Sequence, residues 1–323
     1  MNPRDYPLGQ LVEQYVVKQR ALGREYHYEQ ITLVSLGRFL SMQSAVDLDS
    51  IQFDAWCRSL SAICINHRRK RQLIVRKFCL YRQRTEPTCF VPDIHRFPHP
   101  VDCRPPAIFG EPEVVRMLAA ADELQPTYRG PLRPAVVRLA VVLLYTAGLR
   151  IGELAHLTLG DADIELGVLH IRESKFHRSR FVPLSADAWQ ELQRYLKQRL
   201  ILPSCNESTS PLFCSCADGF RSYSIGGLRE AIQEVFRIAD VRGSDGRRPR
   251  VHDLRHVFAL QALLRWYRQG VDVQSQLPKL ALYMGHVSIE STAYYLKWIP
   301  AIAEEASQRF EAHYGDLIAG DTL

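Results

Sequence analysis

The sequence predicts a mainly α-helical protein with a small β-sheet, divided into a helical N-terminal domain and a larger mixed α/β domain. Over most of the chain, apolar residues recur three and four positions apart, which is the spacing of one helix face. Two short segments, GVLHIRES and RSRFVPLS, are typical of strands joined by a turn. A cluster of prolines separates the front of the chain from the rest.

The N-terminal domain is predicted over residues 1–90. Leu11 and Tyr15 begin one apolar stripe, and Leu33 and Leu36 belong to a second at helical spacing. A chain of 323 residues also has the length of two ordinary domains. We therefore expect this domain to be a small helical bundle.

A basic segment, NHRRKRQLIVRKFCLYRQR, closes this domain and contains eight Lys or Arg residues and no acid. Residues 1–105 hold 16 bases against 10 acids, a net charge of +6. Because Lys and Arg neutralise phosphates and release counterions, the segment is predicted to contact DNA. The alternative is an ordinary solvated helix face. The predicted DNA-contacting residues are Arg68, Arg69, Lys70, Arg71, Arg76 and Lys77.

Six prolines between Pro87 and Pro106 predict an extended linker over residues 91–106, because proline lacks a backbone donor and resists helix and sheet interiors. The second domain is predicted over residues 107–299, with the two strands set among helices. A terminal helix is predicted within 300–323, a stretch with one base and five acids.

Composition argues against membrane and secreted proteins. The chain has no apolar run of about 18 residues and no signal-peptide core at its start. The eight cysteines form no CxxC pair, which favours reduced thiols over disulfides or a metal site. These features predict a cytoplasmic protein, associated with the bacterial nucleoid if it binds DNA.

Five short patterns bring together residues suited to one chemistry: TAGLRIGEL, ESKFHRSRFVPL, HDLRHVFA, MGH and STAYYL. In the third, the His and the Arg lie three apart and share one helix face. Each pattern alone is weak, and their order and spacing carry the argument. The candidate catalytic residues are Arg150, Lys175, His252, Arg255, His286 and Tyr295.

At these residues the chain resembles the tyrosine recombinases, also called phage-integrase or Xer-type recombinases. Glu153 follows Arg150, Lys175 stands five residues before Arg180 in RFVPL, and Tyr295 stands nine residues after a His. The resemblance covers roughly residues 107–297. It implies a core-binding (SAM-like) helical domain followed by a mixed α/β tyrosine-recombinase catalytic domain.

The resemblance implies cleavage and rejoining of DNA through a 3′-phosphotyrosyl intermediate. Two Arg forks, Arg150 and Arg255, would hold the phosphate oxygens and stabilise the charge of the transition state. The spacing selects Tyr295 over Tyr294 as the nucleophile, and adjacent helical residues point about 100° apart, so only one can face the phosphate.

The remaining roles also come from the resemblance. A phenol has an ordinary pKa near ~10 and needs help to become a nucleophile. His252 would assist this proton movement, and His286 would hydrogen-bond the phosphate. Lys175 would protonate the departing 5′ oxygen as general acid. Since one phosphoester replaces another, no cofactor, ATP or metal is required.

The partners implied are double-stranded DNA recombination sites and a homotetramer on two of them, or a hetero-oligomer with a related recombinase. Ile302, Ala306 and Phe310 form an apolar stripe on the acidic tail, which suits exchange between protomers. Packing of the tail on its own domain is the alternative. Integration or transposition of a mobile genetic element fits better than chromosome dimer resolution.

Three other functions remain open from the residues. A type IB topoisomerase or a hairpin-resolving enzyme would share the same catalytic set. A catalytically silent DNA-binding regulator would keep only the basic surface. A metal nuclease would need His252, Asp253 and His256, which no cluster of carboxylates accompanies.

Overall fold

The computed structural model describes residues 6–101, 104–128, 130–174, 178–201, 206–215, 221–243, 246–286 and 288–298. The chain divides into two compact units, Met1–Arg104 and Pro105–Leu323. The described residues are mainly helical with small antiparallel sheets, which confirms the predicted fold class. No helix among them has both the length and the apolar character needed to cross a membrane.

The described part of the first unit contains four α-helices around an aromatic core. Tyr15, Trp56 and Phe78 are almost completely buried in that core. Asp49 starts the third helix, because its carboxylate accepts a hydrogen bond from the backbone N–H of Gln52 at 2.7 Å. The helices are α1 (Gly9–Ala21), α2 (His27–Met42), α3 (Ser50–Ser59) and α4 (Ile65–Arg82).

The Pro-rich segment predicted as a linker over 91–106 is not a free spacer in its first half. Phe97 is 3% exposed and packs into the core of the first unit, beside a short 3₁₀ helix at Ile94–Arg96. Arg69 donates to the carbonyl of Pro98 at 2.8 Å, and Arg76 donates to the carbonyl of Pro92. The buried Phe97 therefore attaches the segment to the core of the first unit, and the guanidinium groups of Arg69 and Arg76 attach it to α4.

The second unit is built around a helix that is buried on nearly every side. In α6, eight of fourteen residues are buried, which identifies it as the central helix of the unit. The helices are α5 (Glu111–Asp122), α6 (Arg133–Thr146), α7 (Ile151–Ala155), α8 (Ala186–Ile201), α9 (Ile225–Ile238), α10 (Val251–Arg268), α11 (Val273–Met284) and α12 (Glu290–Ala293). Single-turn 3₁₀ helices occur at Leu159–Asp161 and Tyr294–Trp298.

The two predicted strands pair as expected. In an antiparallel three-stranded sheet, β1 (Ala162–Asp163) neighbours β2 (Val168–Ser174), which neighbours β3 (Arg178–Pro183). Register sets Leu169 opposite Val182 and Ile171 opposite Arg180. A second pair, β4 (Cys214–Ser215) with β5 (Arg221–Ser222), was not predicted.

Candidate active site

Two arginines form hydrogen bonds with the backbone of two turns in the second unit. Arg150 immediately precedes α7, and its Nη2 donates to the carbonyl of Gly285 at 2.8 Å. Arg255 lies one turn into α10 and is 1% exposed. Its guanidinium donates to the carbonyl of Met284 at 2.6 Å and to that of Gly148. Both cations are therefore oriented by backbone carbonyls at the turn before α7 and the turn after α11.

A buried carboxylate fixes one of these arginines together with a third. Glu153 Oε1 accepts from Arg150 Nη1 at 2.6 Å, and Arg180 contacts both carboxylate oxygens at 3.0 and 2.9 Å. Burial alone would raise the pKa of Glu153, but its bonds to Arg180 and Arg150 outweigh that effect and lower its pKa to about 2. The carboxylate thus stays ionised and orients two guanidinium groups.

This ion-pair network predicts a pH-dependent contribution to stability. The pKa of Glu153 falls from 4.5 to about 2 on folding, so the unfolded chain binds more protons between these values. The group then contributes about 3 kcal/mol above pH ~4.5, which is lost as pH falls through ~2. We expect Glu153→Gln to lower the free energy of unfolding at pH 7 by about 3 to 5 kcal/mol, because two partly buried cations lose their charged partner.

Urea denaturation of both proteins between pH 2 and pH 7 tests this expectation. The loss of stability on acidification should be shallower in Glu153→Gln than in the unsubstituted protein. Equal stability of the two proteins at pH 7 would contradict the network. Glu290→Gln, at an exposed position of α12, is the matched control and should change neither the stability at pH 7 nor its loss on acidification.

A glycine keeps this network compact. Gly285 ends α11 with φ +66°, in the left-handed region that favours glycine. A Cβ at this position would lie 2.8 Å from Arg180 Nη1 and 3.4 Å from Arg150 Nη1. Any side chain here therefore displaces the guanidinium groups of the site.

Gly270 provides a matched control for that position, because it has φ +72° and a Cβ attached to it would meet no atom within 4 Å. Both Gly285→Ala and Gly270→Ala should cost about 1 to 2 kcal/mol of stability from backbone strain. Only Gly285→Ala is expected to slow the DNA cleavage that the motif resemblance implies, by about 10-fold or more, because it moves the arginines. Thermal unfolding and a single-turnover cleavage assay measure the two effects. Equal cleavage by both variants would contradict the role of Gly285.

Three histidines lie near the first two turns of α10. His286 Nδ1 lies 2.7 Å from Thr292 Oγ1, and its ring stacks 6.2 Å from that of Tyr295. The rings of His252 and His256 meet edge to face at 4.6 Å. Burial first, and then the positive charge of nearby groups, lowers the pKa of each histidine to about 4. All three are therefore neutral at physiological pH.

Tyr295 is the buried aromatic residue of this site. It is 2% exposed, and its hydroxyl lies 3.0 Å from His256 Nδ1. Burial raises the pKa of the phenol, while the positive charges of Arg255 and Arg150 oppose that rise. The Tyr294 ring is 6.1 Å away and tilted by 70°, so the two phenols face different surroundings.

The structure brings together five of the six predicted catalytic residues. Lys175 lies outside the described residues, and the strands on either side end at Ser174 and begin at Arg178. Sequence reasoning used Glu153 and Arg180 only as markers of spacing and assigned no role to Thr292. The one signal for the ion pair was the presence of both residues within the matched motifs.

The residues of the metal-nuclease alternative have other partners. The Asp253 carboxylate accepts from the backbone N–H and the guanidinium of Arg250 at 2.8 and 2.9 Å. His256 Nδ1 faces the Tyr295 hydroxyl. The described part of the chain contains no group of three His, Cys, Asp or Glu side chains arranged to hold a metal.

The six residues predicted to contact DNA all lie on α4. Lys70 and Lys77 are exposed, whereas the four arginines are partly buried. The Lys70 ammonium lies 4.5 Å from the centre of the Tyr28 ring. The guanidinium groups of Arg69 and Arg76 hold the Pro-rich segment, so the two lysines are the most open cations among the six.

Known proteins resemble this chain, one of them over 95% of its length and another over 59% of it. An integrase/recombinase of Sinorhizobium fredii, y4rB, is 32% identical over 95% of this chain and 98% of its own. The tyrosine recombinase XerC of Pelotomaculum thermopropionicum is 32% identical over 59% of this chain and 57% of its own.

Solved structures share the fold at low sequence identity. The Tn1549 transposon integrase, in complex with transposon right end DNA, has a TM-score of 0.63 at 17% identity and covers 94% of this chain and 98% of its own. The XerH recombinase bound to a palindromic difH substrate has a TM-score of 0.63 at 17% identity, covering 88% and 79%. The phage integrase family pattern matches residues 109–299. The chain therefore belongs to the phage integrase family, the tyrosine-type site-specific DNA recombinases.

Proposed function

We propose that this recombinase cuts and rejoins DNA through a covalent bond between Tyr295 and a 3′ phosphate. The proposal rests on one observation: the Tyr295 phenol lies near two guanidinium groups, and a neutral His286 stacks on the phenol ring. A phosphodiester is an anion, and attack adds charge to its oxygens. Arg150 and Arg255 supply fixed positive charge where that charge develops.

The proposed steps use this chain's own side chains. The phenol oxygen forms a bond to phosphorus, and the bond to the 5′ oxygen breaks. Lys175 protonates the 5′ oxygen and later takes the proton back. His286, oriented by Thr292, donates to a phosphate oxygen through Nε2, because a Thr292 hydroxyl that donates to Nδ1 leaves the proton on Nε2.

The unit Met1–Arg104 is proposed as the core-binding domain and the catalytic domain as residues 107–299. Double-stranded recombination sites are the proposed partners, with four copies assembled on two sites. The exchanged tail, residues 300–323, lies outside the described residues. Similarity to an integrase/recombinase along 95% of the chain, against 59% for XerC, favours integration or transposition of a mobile element over dimer resolution.

The decisive experiment compares two substrates. With two copies of its cognate site, taken from the ends of the element that encodes it, the protein should exchange strands between them. Supercoiled DNA that lacks the site should not be relaxed efficiently. Relaxation of any supercoiled plasmid at a comparable rate would favour the topoisomerase alternative. DNA binding without covalent attachment would favour the silent regulator.

The exposed lysines of α4 give a separate prediction about DNA binding. Lys70 and Lys77 lie seven residues apart, so they share one helix face about 10 Å apart along the axis. If both contact phosphates, the Lys70→Ala, Lys77→Ala protein should bind DNA with a salt-dependence slope smaller by about 2. Lys197→Ala, on the exposed side of α8, is the control. Fluorescence anisotropy at a series of salt concentrations measures the slope, and an unchanged slope would contradict the assignment.

A further inference from the structure

One histidine of the site touches the reacting phenol and has no role in the mechanism above. His256 follows Arg255 on α10, and its Nδ1 lies 3.0 Å from the Tyr295 hydroxyl oxygen. The hydroxyl has a single proton, and neutral imidazole offers one nitrogen lone pair. When the phenol donates this proton to Nδ1, its own lone pairs remain free to face a phosphorus atom.

The surroundings of His256 keep its ring neutral, so that it can accept a proton. Burial, and then the neighbouring side chains of His252, Arg250 and Arg255, lower its pKa to about 4, with Asp253 acting in the opposite direction. The ring is therefore neutral at physiological pH. A bound phosphodiester adds a negative charge to this basic site and would stabilise the imidazolium that forms when the ring takes a proton.

His252, which the family resemblance implicates in proton movement, occupies a different place. Its ring meets the His256 ring edge to face at 4.6 Å. Among the hydrogen bonds of the described residues, the one that involves the Tyr295 hydroxyl joins it to Nδ1 of His256. His252 therefore contacts the histidine that touches the phenol.

We propose that His256 takes the phenolic proton of Tyr295 as the phenol attacks DNA, an inference that rests on the proposed nucleophilic role of Tyr295. The O–H bond breaks, the proton moves to Nδ1, and a phenol lone pair forms the bond to phosphorus. The bond from phosphorus to the 5′ oxygen breaks and its electron pair stays on that oxygen, which Lys175 protonates. In rejoining, His256 returns the proton to the departing phenol.

The test measures single-turnover covalent attachment to a nicked suicide duplex. His256→Ala should slow attachment by about 100-fold, the usual contribution of a general base. His256→Asn keeps an acceptor oxygen near the Nδ1 position but cannot take up the proton, so it should remain almost as slow. Trifluorotyrosine incorporated at position 295 ionises without a base, and it should restore most of the rate lost in His256→Ala. His95→Ala, at an exposed position of the first unit, is the control.

Three results would overturn the inference: an unchanged or faster rate in His256→Ala, a full rate in His256→Asn, or no gain from the fluorinated phenol. The Asn variant retains a hydrogen bond to Tyr295, which keeps the test open if the Ala variant unfolds. Tyr295→Phe separates this inference from the proposed function. If that variant still attaches, the proposed function fails. If it does not attach and His256→Ala is unimpaired, only the inference fails.

Discussion

Tyr295→Phe is expected to abolish covalent attachment of the protein to DNA, lowering the rate by at least about 10⁴-fold, as removal of an enzyme nucleophile does. The substitution deletes one oxygen and keeps the buried ring that packs between α10 and α11. The lost hydrogen bond to His256 should cost only about 1 kcal/mol of stability. DNA binding should therefore remain intact while the chemistry stops.

Tyr294→Phe is the matched control, because it removes the same atom from the adjacent residue, whose ring is turned by 70°. It should attach at a normal rate. Both proteins are incubated with a nicked suicide duplex that traps the intermediate, and the covalent adduct is counted on a denaturing gel. Covalent attachment by Tyr295→Phe, or loss of attachment in Tyr294→Phe alone, would mean that Tyr295 is not the nucleophile.

The fold class and the pairing of β2 with β3 could be predicted because they depend on local patterns. Alternation in GVLHIRES and RSRFVPLS leads directly to β2 and β3. The first residues of the helices were harder to predict from the sequence. For example, α11 begins at Val273 and continues through Pro278, a residue type that usually ends or kinks a helix, because burial of Leu277 and Leu280 outweighs one missing backbone hydrogen bond.

The candidate site was predicted as a set of residues but not as a network. Motif spacing identified which side chains could meet. Spacing carries no information on Arg255 donating to the carbonyls of Gly148 and Met284, or on His256 facing the phenol, because those contacts join segments that are far apart in the chain. The packing of Phe97 into the first unit escaped prediction for the same reason.

Arg255→Lys is expected to lower cleavage by about 10³-fold, although the charge is kept. The guanidinium donates to two carbonyls and, in the proposed mechanism, also to a phosphate oxygen. An ammonium cannot reach all three positions at once, since its donors radiate from one atom rather than a planar fork. One buried carbonyl left unpaired should also cost about 1 to 3 kcal/mol of stability.

The Arg255→Lys prediction has a second part, which is the direction in which the remaining activity changes with pH. Burial, followed by the charge of Arg150, lowers the pKa of Arg255 to about 10, which leaves it charged at pH 7. A lysine begins near ~10.4, and the same burial and the same charge of Arg150 would lower its pKa toward the physiological range. The Arg255→Lys protein should therefore lose its residual cleavage as pH rises from 7 to 9, whereas the unsubstituted protein should retain its charge over that range.

Single-turnover cleavage across this pH range tests both parts of the prediction. Arg250→Lys provides the control at the residue that precedes the same helix, since its partly exposed side chain pairs with Asp253, a partner that a lysine can also reach. This control should cleave at nearly the normal rate at every pH. Cleavage by Arg255→Lys at the rate of the control would mean that charge alone is sufficient. The planar fork, held between the turns at Gly148 and Met284, would then not be what stabilises the transition state.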